Sequence, residues 1–256
     1  MFTEERQYEI LKKLKIEKRI SVNDITVIFG VSESTARRDL QEMESKGLLS
    51  RTHGGAVLSI KTGYEAGITE KASANSENKK SIGRLAAGYI HNDETLFLDS
   101  GSTTLEIARA VQDKQVCIIT NSIQIAWELS FSETVSLVMI GGELRKSTRS
   151  LTGSMSQEDI TKLHVDKAFI GANGIDLIAG FTTPNMGEGK IKELMLRNSK
   201  SKFLVADSDK FDQVYGYAFA SLKTADYLLT DNKISKDLLI KYKDAGCNII
   251  TENREC

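Results

Sequence analysis

Short apolar segments alternate with amphipathic helical patterns between residues 95 and 251 of this 256-residue chain. Strands that are separated by helices pair in parallel, because each helix returns the chain to the edge of the sheet where the previous strand began. The alternation therefore predicts an α/β fold with a doubly wound sheet, to which we assign residues 77–256. The expected strands are 95–98, 116–120, 137–140, 168–171, 203–206, 227–230 and 248–251.

The first part of the chain, residues 1–57, follows a pattern of short helices and a hairpin instead. Ser21, with Asp24 three residues later, is typical of a helix N-cap. Gly30 ends that helix, because glycine readily adopts the left-handed conformation of a helix end. A second helix and a small hairpin follow, and together they predict a winged helix-turn-helix domain. Residues 58–76 lose the apolar periodicity, and we expect them to form a linker.

The second helix of a helix-turn-helix places its N-terminal residues at the base edges of the major groove. In this chain the start of that helix carries hydroxyl and arginine side chains. Arginine makes bidentate contacts with guanine, and hydroxyl groups bind phosphate oxygens. Two residues of the hairpin are expected at the adjacent backbone or minor groove. The expected DNA-binding residues are Ser32, Ser34, Thr35, Arg37 and Arg38 on the helix, with Arg51 and His53 on the hairpin.

The charge of the chain leaves a second interpretation of this helix open. The formal net charge is −1, so no global basic field attracts nucleic acid. Arg37 and Arg38 would then be only the solvated face of a helix. DNA binding therefore depends on a local surface, which charge composition alone does not establish.

Other features of the composition narrow the class of protein. No apolar run approaches the ~18 residues that a membrane span needs, and we see no signal peptide. The three cysteines, Cys117, Cys247 and Cys256, lack the spacing of metal ligands. We expect a cytoplasmic protein with no metal, no cofactor and no membrane partner. A redox sensor that uses these cysteines is a weaker alternative, because nothing basic surrounds them in the sequence.

A hydroxyl-rich loop follows the first strand of the predicted α/β domain and leads into a helix. A helix start offers free N–H groups and the positive end of the helix dipole, and both favour an anion. The loop has neither the end of a Walker A loop nor the G-x-G-x-x-G pattern, so ATP hydrolysis and dinucleotide binding are not indicated. A phosphate group is the expected guest, unless the hydroxyl groups merely cap the helix. The residues of this loop are Asp99, Ser100, Gly101, Ser102, Thr103 and Thr104.

Further loops rich in glycine, asparagine and hydroxyl groups are expected at the same edge of the sheet, where open α/β folds bind their ligands. Together they favour a polyhydroxylated anion. Lys192 and Lys210 are candidates to balance the charge of a phosphate, although a lone lysine is more often a solvated surface residue. The other residues expected to contact this ligand are Thr120, Asn121, Gly141, Gly142, Gly171 and Asn173.

Motifs in both parts of the chain resemble the DeoR family of bacterial transcription regulators. In the first part these are Arg6, Ile10, Ser-Thr-Ala-Arg-Arg-Asp-Leu at 34–40, Gly-Leu at 47–48 and His-Gly-Gly-Ala at 53–56. In the second part they are the loop at 99–104, Thr-Asn-Ser at 120–122, Gly-Gly at 141–142, Gly-Ala-Asn-Gly-Ile at 171–175, Thr-Thr-Pro-Asn at 182–185 and the segment 206–211. The resemblance covers most of the chain.

The resemblance implies a winged helix-turn-helix domain joined to a sensor domain that is similar in fold to ribose-5-phosphate isomerase. Glu188 and Lys192 match the Glu and Lys that the family carries on the helix after Pro184. Asp39 is expected to orient a neighbouring arginine rather than to touch DNA. The chain departs from the family pattern at Gly189-Lys190, where a small residue and an acid are usual, and at Asp212, where glycine is usual.

The implied function is transcriptional regulation, by a repressor of a sugar-metabolism operon whose DNA affinity is controlled by a phosphorylated sugar. The expected partners are double-stranded operator DNA, the phosphorylated sugar, and further copies of the chain in a homodimer or homotetramer. We expect capture of the sugar to change how the helical segment 77–90 docks. No catalytic residue is expected. The alternative is a sugar-phosphate isomerase-like enzyme with an accessory DNA-binding head, in which Asp99, Glu188 or Asp207 would transfer protons.

Overall fold

The structure is a computed structural model that describes residues 3–17, 19–45, 48–52, 54–58 and 67–252. The chain divides into two compact units between residues 62 and 63. His53, Gly47 and Cys256 lie outside the described residues, as does the segment 59–66.

The first unit combines helices with a small antiparallel sheet of strand order β1-β3-β2. Its elements are α1 (Thr3–Glu17), β1 (Arg19–Ser21), α2 (Val22–Phe29), α3 (Glu33–Ser45), β2 (Leu49–Thr52) and β3 (Gly55–Leu58). Ile10 of α1, Ile25 of α2, and Leu40 and Met43 of α3 are buried in one cluster. Helices α2 and α3 with the β2–β3 hairpin form the predicted winged helix-turn-helix.

Local capping fixes the ends of α2 as the sequence predicts. The Ser21 side chain accepts a hydrogen bond from the Asp24 N–H, and the Asp24 carboxylate accepts one from the Ser21 N–H, which completes a capping box. Gly30 ends the helix with a φ of 63°. That left-handed conformation is the one for which glycine is favoured at helix ends.

A buried ion pair joins α1 to the recognition helix α3. The Arg6 guanidinium donates to both carboxylate oxygens of Asp39, with Nε to Oδ2 at 2.5 Å and a terminal nitrogen to Oδ1 at 3.0 Å. Both side chains are almost fully buried. Asp39 therefore orients an arginine, as the resemblance implies, and that arginine is Arg6.

The second unit is built on a twisted sheet of strand order β15-β14-β12-β9-β4-β5-β6, in which every neighbouring pair is parallel. Its elements are α4 (Ile68–Ser73), α5 (Ser76–Ala87), β4 (Thr95–Leu98), α6 (Ser102–Ala110), β5 (Cys117–Thr120), α7 (Ile123–Leu129), β6 (Ser136–Met139), β7 (Glu143–Arg145), β8 (Ser150–Thr152), α8 (Ser154–Thr161), β9 (Val165–Gly171), β10 (Gly174–Asp176), β11 (Gly180–Thr183), α9 (Met186–Arg197), β12 (Ser199–Val205), β13 (Tyr217–Ala220), β14 (Tyr227–Thr230), α10 (Lys236–Asp244) and β15 (Ile249–Thr251). Short 3-10 helices lie at Ser208–Lys210 and Leu222–Thr224.

Both faces of this sheet are covered, because successive residues of each strand point to opposite sides. Leu96 and Leu98 of β4 pack in the cluster that contains residues of α5, α6 and α7. Phe97, between them, packs in the other cluster, with residues of α8, α9 and α10. This confirms the predicted fold class, an α/β chain with an N-terminal winged helix-turn-helix and a doubly wound second part.

The structure adds elements that apolar periodicity did not indicate. Strands β10, β11 and β13 form a separate antiparallel sheet, and β7 pairs with β8 in a hairpin. Helix α4 lies inside the interval 58–76, for which we expected a linker without structure of its own. The carboxyl edge of the main sheet is therefore more enclosed than the strand-helix alternation suggests.

Both departures from the family pattern have a structural setting. A Cβ atom on Gly189 would lie 2.2 Å from the ring of Tyr217, so the residue lets β13 pack closely on α9. Asp212 has a φ of 58°, which explains why glycine suits this position. Its carboxylate accepts hydrogen bonds from Tyr242 at 2.8 Å and Lys241 at 2.8 Å, which offset the backbone strain.

We predict that Asp39→Ala destabilises the first unit strongly. The substitution leaves the Arg6 guanidinium buried without its carboxylate, and breaking one side of a buried pair costs about 3–5 kcal/mol. Urea unfolding followed by circular dichroism measures this loss, and proteolysis locates it in the first unit. Glu33→Ala is the control, because it removes only the exposed partner of Arg37 and leaves stability nearly unchanged. Equal stability of the two variants would contradict the assigned role of the pair.

Candidate functional site

The exposed start of α3 carries the hydroxyl groups that the sequence assigns to DNA. The Ser32 hydroxyl accepts a hydrogen bond from the Thr35 N–H at 3.3 Å, so Ser32 caps the helix. It also contacts the hydroxyls of Ser34 at 2.8 Å and Thr35 at 2.9 Å. These groups form one exposed polar cluster at the helix N-terminus, which suits a phosphate oxygen.

The arginines of the first unit lie on its surface. Arg37 and Arg38 are exposed, because Ala36, Asp39 and Leu40 take the buried positions of α3. Arg37 has a loose contact with Glu33 at 3.4 Å. Such exposed pairs are weak, so both guanidinium groups are available to a ligand.

The wing arginine is more constrained. The Arg51 N–H and Nε donate to the Glu44 carboxylate at 2.8 and 2.9 Å, which ties β2 to the end of α3. Only the terminal nitrogens of Arg51 remain to face a DNA backbone. His53 was predicted to contact DNA, but its position lies outside the described residues.

A cavity of about 200 Å³ lies in the second unit, beyond the carboxyl ends of β4, β9 and β12. This is the edge of the sheet where the sequence places a ligand. Segments from α4 to α5, from α6 and from α9 complete its wall. The predicted residues that line it are Ser100, Gly101, Ser102, Thr103, Gly171, Asn173, Glu188, Lys192 and Lys210.

The first turn of α6 presents free donors to this cavity. The helical ladder begins with the Leu105 N–H bonding the Gly101 carbonyl at 3.0 Å, and no side chain caps the turn in the described structure. The N–H groups before Leu105 are therefore orphan donors. Ser102 and Thr103, each 8% exposed, add hydroxyl groups beside them.

Asp99 and Lys192 form a buried ion pair at one side of the cavity. The Lys192 ammonium donates to Asp99 and also to the Gly171 carbonyl, at 3.0 Å for the second bond. Lys192 lines the cavity, whereas Asp99 lies behind it. The carboxylate therefore holds the ammonium in place.

One carboxylate oxygen of Glu188, Oε1, is engaged by protein groups. Its carboxylate accepts hydrogen bonds from the hydroxyls of Thr148 and Ser150, and Arg145 lies 3.4 Å away. Asn185 caps the same helix by accepting from the Glu188 N–H at 3.0 Å. Glu188 thus supports the cavity wall through Oε1.

Asp207, Lys210 and Lys79 form the opposite side of the cavity. Asp207 is 1% exposed, and neither of its carboxylate oxygens has a hydrogen-bond partner within the described part of the chain. The Lys210 ammonium lies 3.9 Å from Asp207 Oδ1, beyond hydrogen-bond distance. Burial raises the pKa of the Asp207 carboxyl, and burial lowers the pKa of the Lys79 ammonium.

Several residues that the sequence predicts as ligand contacts do not line the cavity. The Thr104 hydroxyl donates to the Asp99 carbonyl at 2.7 Å and holds the loop from behind. Thr120 accepts a hydrogen bond from the Ser122 N–H at 3.1 Å, and Asn121 donates to the Leu151 carbonyl at 2.9 Å. Gly141 and Gly142 pack near α8 instead, where the Ser156 hydroxyl donates to the Gly141 carbonyl at 2.5 Å.

Other cavity residues escaped the sequence analysis altogether. They are Ile68, Lys71, Ala74, Asn75, Lys79, Thr148 and Tyr215. The segment 68–76 had been assigned to a linker, which removed it from consideration. One signal was present for Lys79, because it shares the apolar face of α5 with Ile82 and Ala86 at helical spacing. A lysine on a buried face needs partners, and this often marks a site.

The described residues contain no cluster of His, Cys, Asp and Glu side chains that could hold a metal ion. No described helix is long and apolar enough to span a membrane. The cavity thus offers amide, hydroxyl and ammonium donors around one unpaired carboxylate. That combination suits a ligand with an anionic end and further polar groups.

Comparison with known proteins agrees with this arrangement. Residues 6–62 match the DeoR-like helix-turn-helix domain, and residues 74–232 match the DeoR C terminal sensor domain. The HTH-type transcriptional regulator GlpR of Haloferax volcanii is 34% identical over 98% of this chain and 98% of its own. The lactose phosphotransferase system repressor of Lactococcus lactis is 36% identical over 93% of this chain and 94% of its own.

Among solved structures, ribose 5-phosphate isomerase A from Methanocaldococcus jannaschii is 16% identical, with a TM-score of 0.41 over 54% of this chain and 55% of its own. The two domain matches together span most of the sequence, in the order of the two units. The chain therefore belongs to the DeoR family of transcriptional regulators.

Proposed function

We propose that the chain represses a sugar-metabolism operon and that a phosphorylated sugar in the cavity controls its affinity for operator DNA. The observation that carries this proposal is the uncapped first turn of α6, which faces the cavity beside Ser102, Thr103 and two lysines. Orphan N–H groups at a helix start bind phosphate well. One relative is named as a repressor of a lactose phosphotransferase system. This name supports repression rather than activation, and it supports a sugar as the controlling ligand.

The first unit supplies the DNA contacts in this proposal. Ser32, Ser34 and Thr35 bind phosphate oxygens, while Arg37 and Arg38 reach base edges in the major groove. Arg51 and His53 of the wing contact the adjacent backbone. A single winged helix covers only one half-site, so we propose that the chain acts as a homodimer or homotetramer with a symmetric operator. Its place is then the cytoplasm, with the DNA.

In the second unit, we propose that Ser100, Gly101, Ser102 and Thr103 hold the phosphate with Lys210. Gly171, Asn173 and Lys192 contact the sugar, and Glu188 and Asp99 keep the wall in shape. Thr104, Thr120, Asn121, Gly141 and Gly142 support neighbouring loops without touching the ligand.

We propose that the cavity binds this ligand without turning it over. Two of the carboxylates considered for proton transfer have partners on one oxygen, Asp99 through Oδ2 with Lys192 and Glu188 through Oε1 with hydroxyl groups and Arg145. Asp207 is the exception, because neither of its carboxylate oxygens has a hydrogen-bond partner among the described residues. An isomerase-like activity that uses this carboxylate is therefore the second candidate function. Incubation with ribose 5-phosphate and other sugar phosphates, followed by NMR, separates the two functions, because a binding protein leaves every substrate unchanged.

Arg37→Ala and Arg38→Ala are expected to weaken specific DNA binding by about 1–3 kcal/mol each, the usual value of a good arginine–guanine contact. The measurement is fluorescence anisotropy with DNA from upstream of the protein's own gene, against a scrambled duplex. Arg197→Ala is the matched control, since it removes an exposed arginine of the second unit. Wild-type affinity and footprint in both variants would refute base reading by α3.

Thr103→Val removes one hydroxyl group from the α6 loop and keeps the side-chain volume. A hydrogen bond to a charged group contributes about 1.5–3 kcal/mol, so the affinity for the effector is expected to fall roughly tenfold or more. Calorimetric titration with a panel of sugar phosphates measures the change, and Ser102→Ala is an independent test of the same turn.

DNA binding without effector should stay unchanged in both variants, because the first unit is untouched. Ser136→Ala, at an exposed position of β6, is the control. If both loop variants bind the same sugar phosphate as tightly as the parent protein, the phosphate is assigned to the wrong loop.

A further inference from the structure

Lys79 is buried beneath α4, the element that follows residues 59–66 in the sequence. It is 4% exposed, and its ammonium donates to the backbone carbonyls of Lys71 and Ala74 at the end of that helix. Carbonyls at a helix C-terminus lack partners and carry partial negative charge, so a lysine stabilises them. Lys79 therefore fastens the end of α4 to α5.

Two further anchors hold α4 and its junction with α5. Ile68 is buried, and its N–H donates to the Ser147 carbonyl at 2.9 Å. The corner between α4 and α5 is held by Asn75, whose side chain donates to Asp209 at 2.8 Å. A helix of six residues has little stability of its own. Loss of the Lys79 contacts would therefore remove two hydrogen bonds from the end of this short helix.

Helix α5, in contrast, is part of the core. Ile82 and Ala86 are fully buried, and a Cβ on Gly83 would lie 2.7 Å from the Glu106 carbonyl of α6. Such close packing does not adjust without loss of core contacts. The segment 77–90, for which we expected movement, is thus the fixed partner, and α4 is the element that can respond.

Asp207 offers Lys79 a second partner. The carboxylate has no hydrogen bond among the described residues, and it interacts electrostatically with both Lys79 and Lys210, which line the same cavity. An anion placed at the first turn of α6 would add negative charge beside this unpaired carboxylate. A buried charge needs compensation, and Lys79 is the nearby cation whose present partners are only neutral carbonyls.

We propose that Lys79 exchanges partners when an anion binds. Its ammonium group breaks its hydrogen bonds to the carbonyls of α4 and interacts with the anion and Asp207 instead, and the resulting release of α4 transmits the binding event from the second unit. Asp207 is a positioning residue in this account, because it acts through Lys79. The inference rests on the proposed anion site and assigns its regulation. The anion binds more tightly to the state in which Lys79 has left α4, and such a difference in affinity is what any ligand needs in order to shift an equilibrium.

The test is hydrogen–deuterium exchange on the full chain, with saturating inorganic phosphate as the probe and chloride at equal ionic strength as the reference. Amides of the first turn of α6 report binding, and amides 71–74 report the end of α4. We expect phosphate to slow exchange at α6 and to speed exchange at α4 by roughly fivefold or more, the lower range of allosteric couplings.

Two variants separate the exchange of partners from a purely structural role. In Asp207→Asn, phosphate should still protect α6, while the α4 response falls to near zero, because Lys79 has lost its second charged partner. In Lys79→Met, α4 should exchange quickly even without phosphate. The matched controls are Asp244→Asn and Lys80→Met, which change exposed residues of the same types.

Each outcome decides between the two proposals. Protection at α6 with unchanged exchange at α4 in the parent protein overturns the partner exchange and leaves the anion site standing. No protection at α6 in phosphate overturns both. A full α4 response in Asp207→Asn overturns the role of Asp207.

Discussion

Burial of charge at the carboxyl edge of the parallel sheet governs the second unit. Asp99 is held by Lys192, and Glu188 is held by hydroxyl groups and Arg145. Each such group would cost several kcal/mol without its partners. Two other buried charged groups at this edge, Lys79 and Asp207, lack a charged partner at hydrogen-bond distance in the described structure. The paired groups therefore stabilise the cavity wall, whereas Lys79 and Asp207 still lack charged partners at that distance. A bound ligand can change the interactions of these two residues.

In the first unit, by contrast, the buried charges have charged partners within the protein. Its buried charges, Arg6 and Asp39, satisfy each other and fix α1 against α3. The two arginines of α3, Arg37 and Arg38, lie on the surface, where they are in contact with solvent. A rigid helix with exposed guanidinium groups loses little side-chain and backbone entropy when it binds, compared with a flexible loop. The ion pair thus contributes to recognition without any contact to DNA.

Apolar periodicity carried the prediction of the main sheet, because strands buried on both faces appear as continuous apolar runs such as 95–98 and 227–230. The loop 99–104 was found because its chemistry is local. Thr120 and Asn121 were expected in the cavity from the sheet-edge rule alone, but the Thr120 hydroxyl bonds the N–H of Ser122, and the Asn121 amide nitrogen bonds Leu151 of the β7–β8 hairpin. Strands β10, β11 and β13 have only three or four residues each, so no period indicates them. Lys79 and α4 were missed because long-range burial, not local pattern, gives them their role.

The position of α4 in the sequence bears on how binding of a ligand in the cavity affects the first unit. A ligand shifts an equilibrium between two arrangements of a protein only if it binds one of them more tightly than the other. Core helices such as α5 are poor candidates, since their packing tolerates no second arrangement. Helix α4 lines the cavity on one side and is joined through residues 59–66 to the winged helix on the other. In the proposed exchange of partners, the loss of one lysine contact changes this six-residue helix at the start of the second unit, while the tightly packed sheet stays as it is.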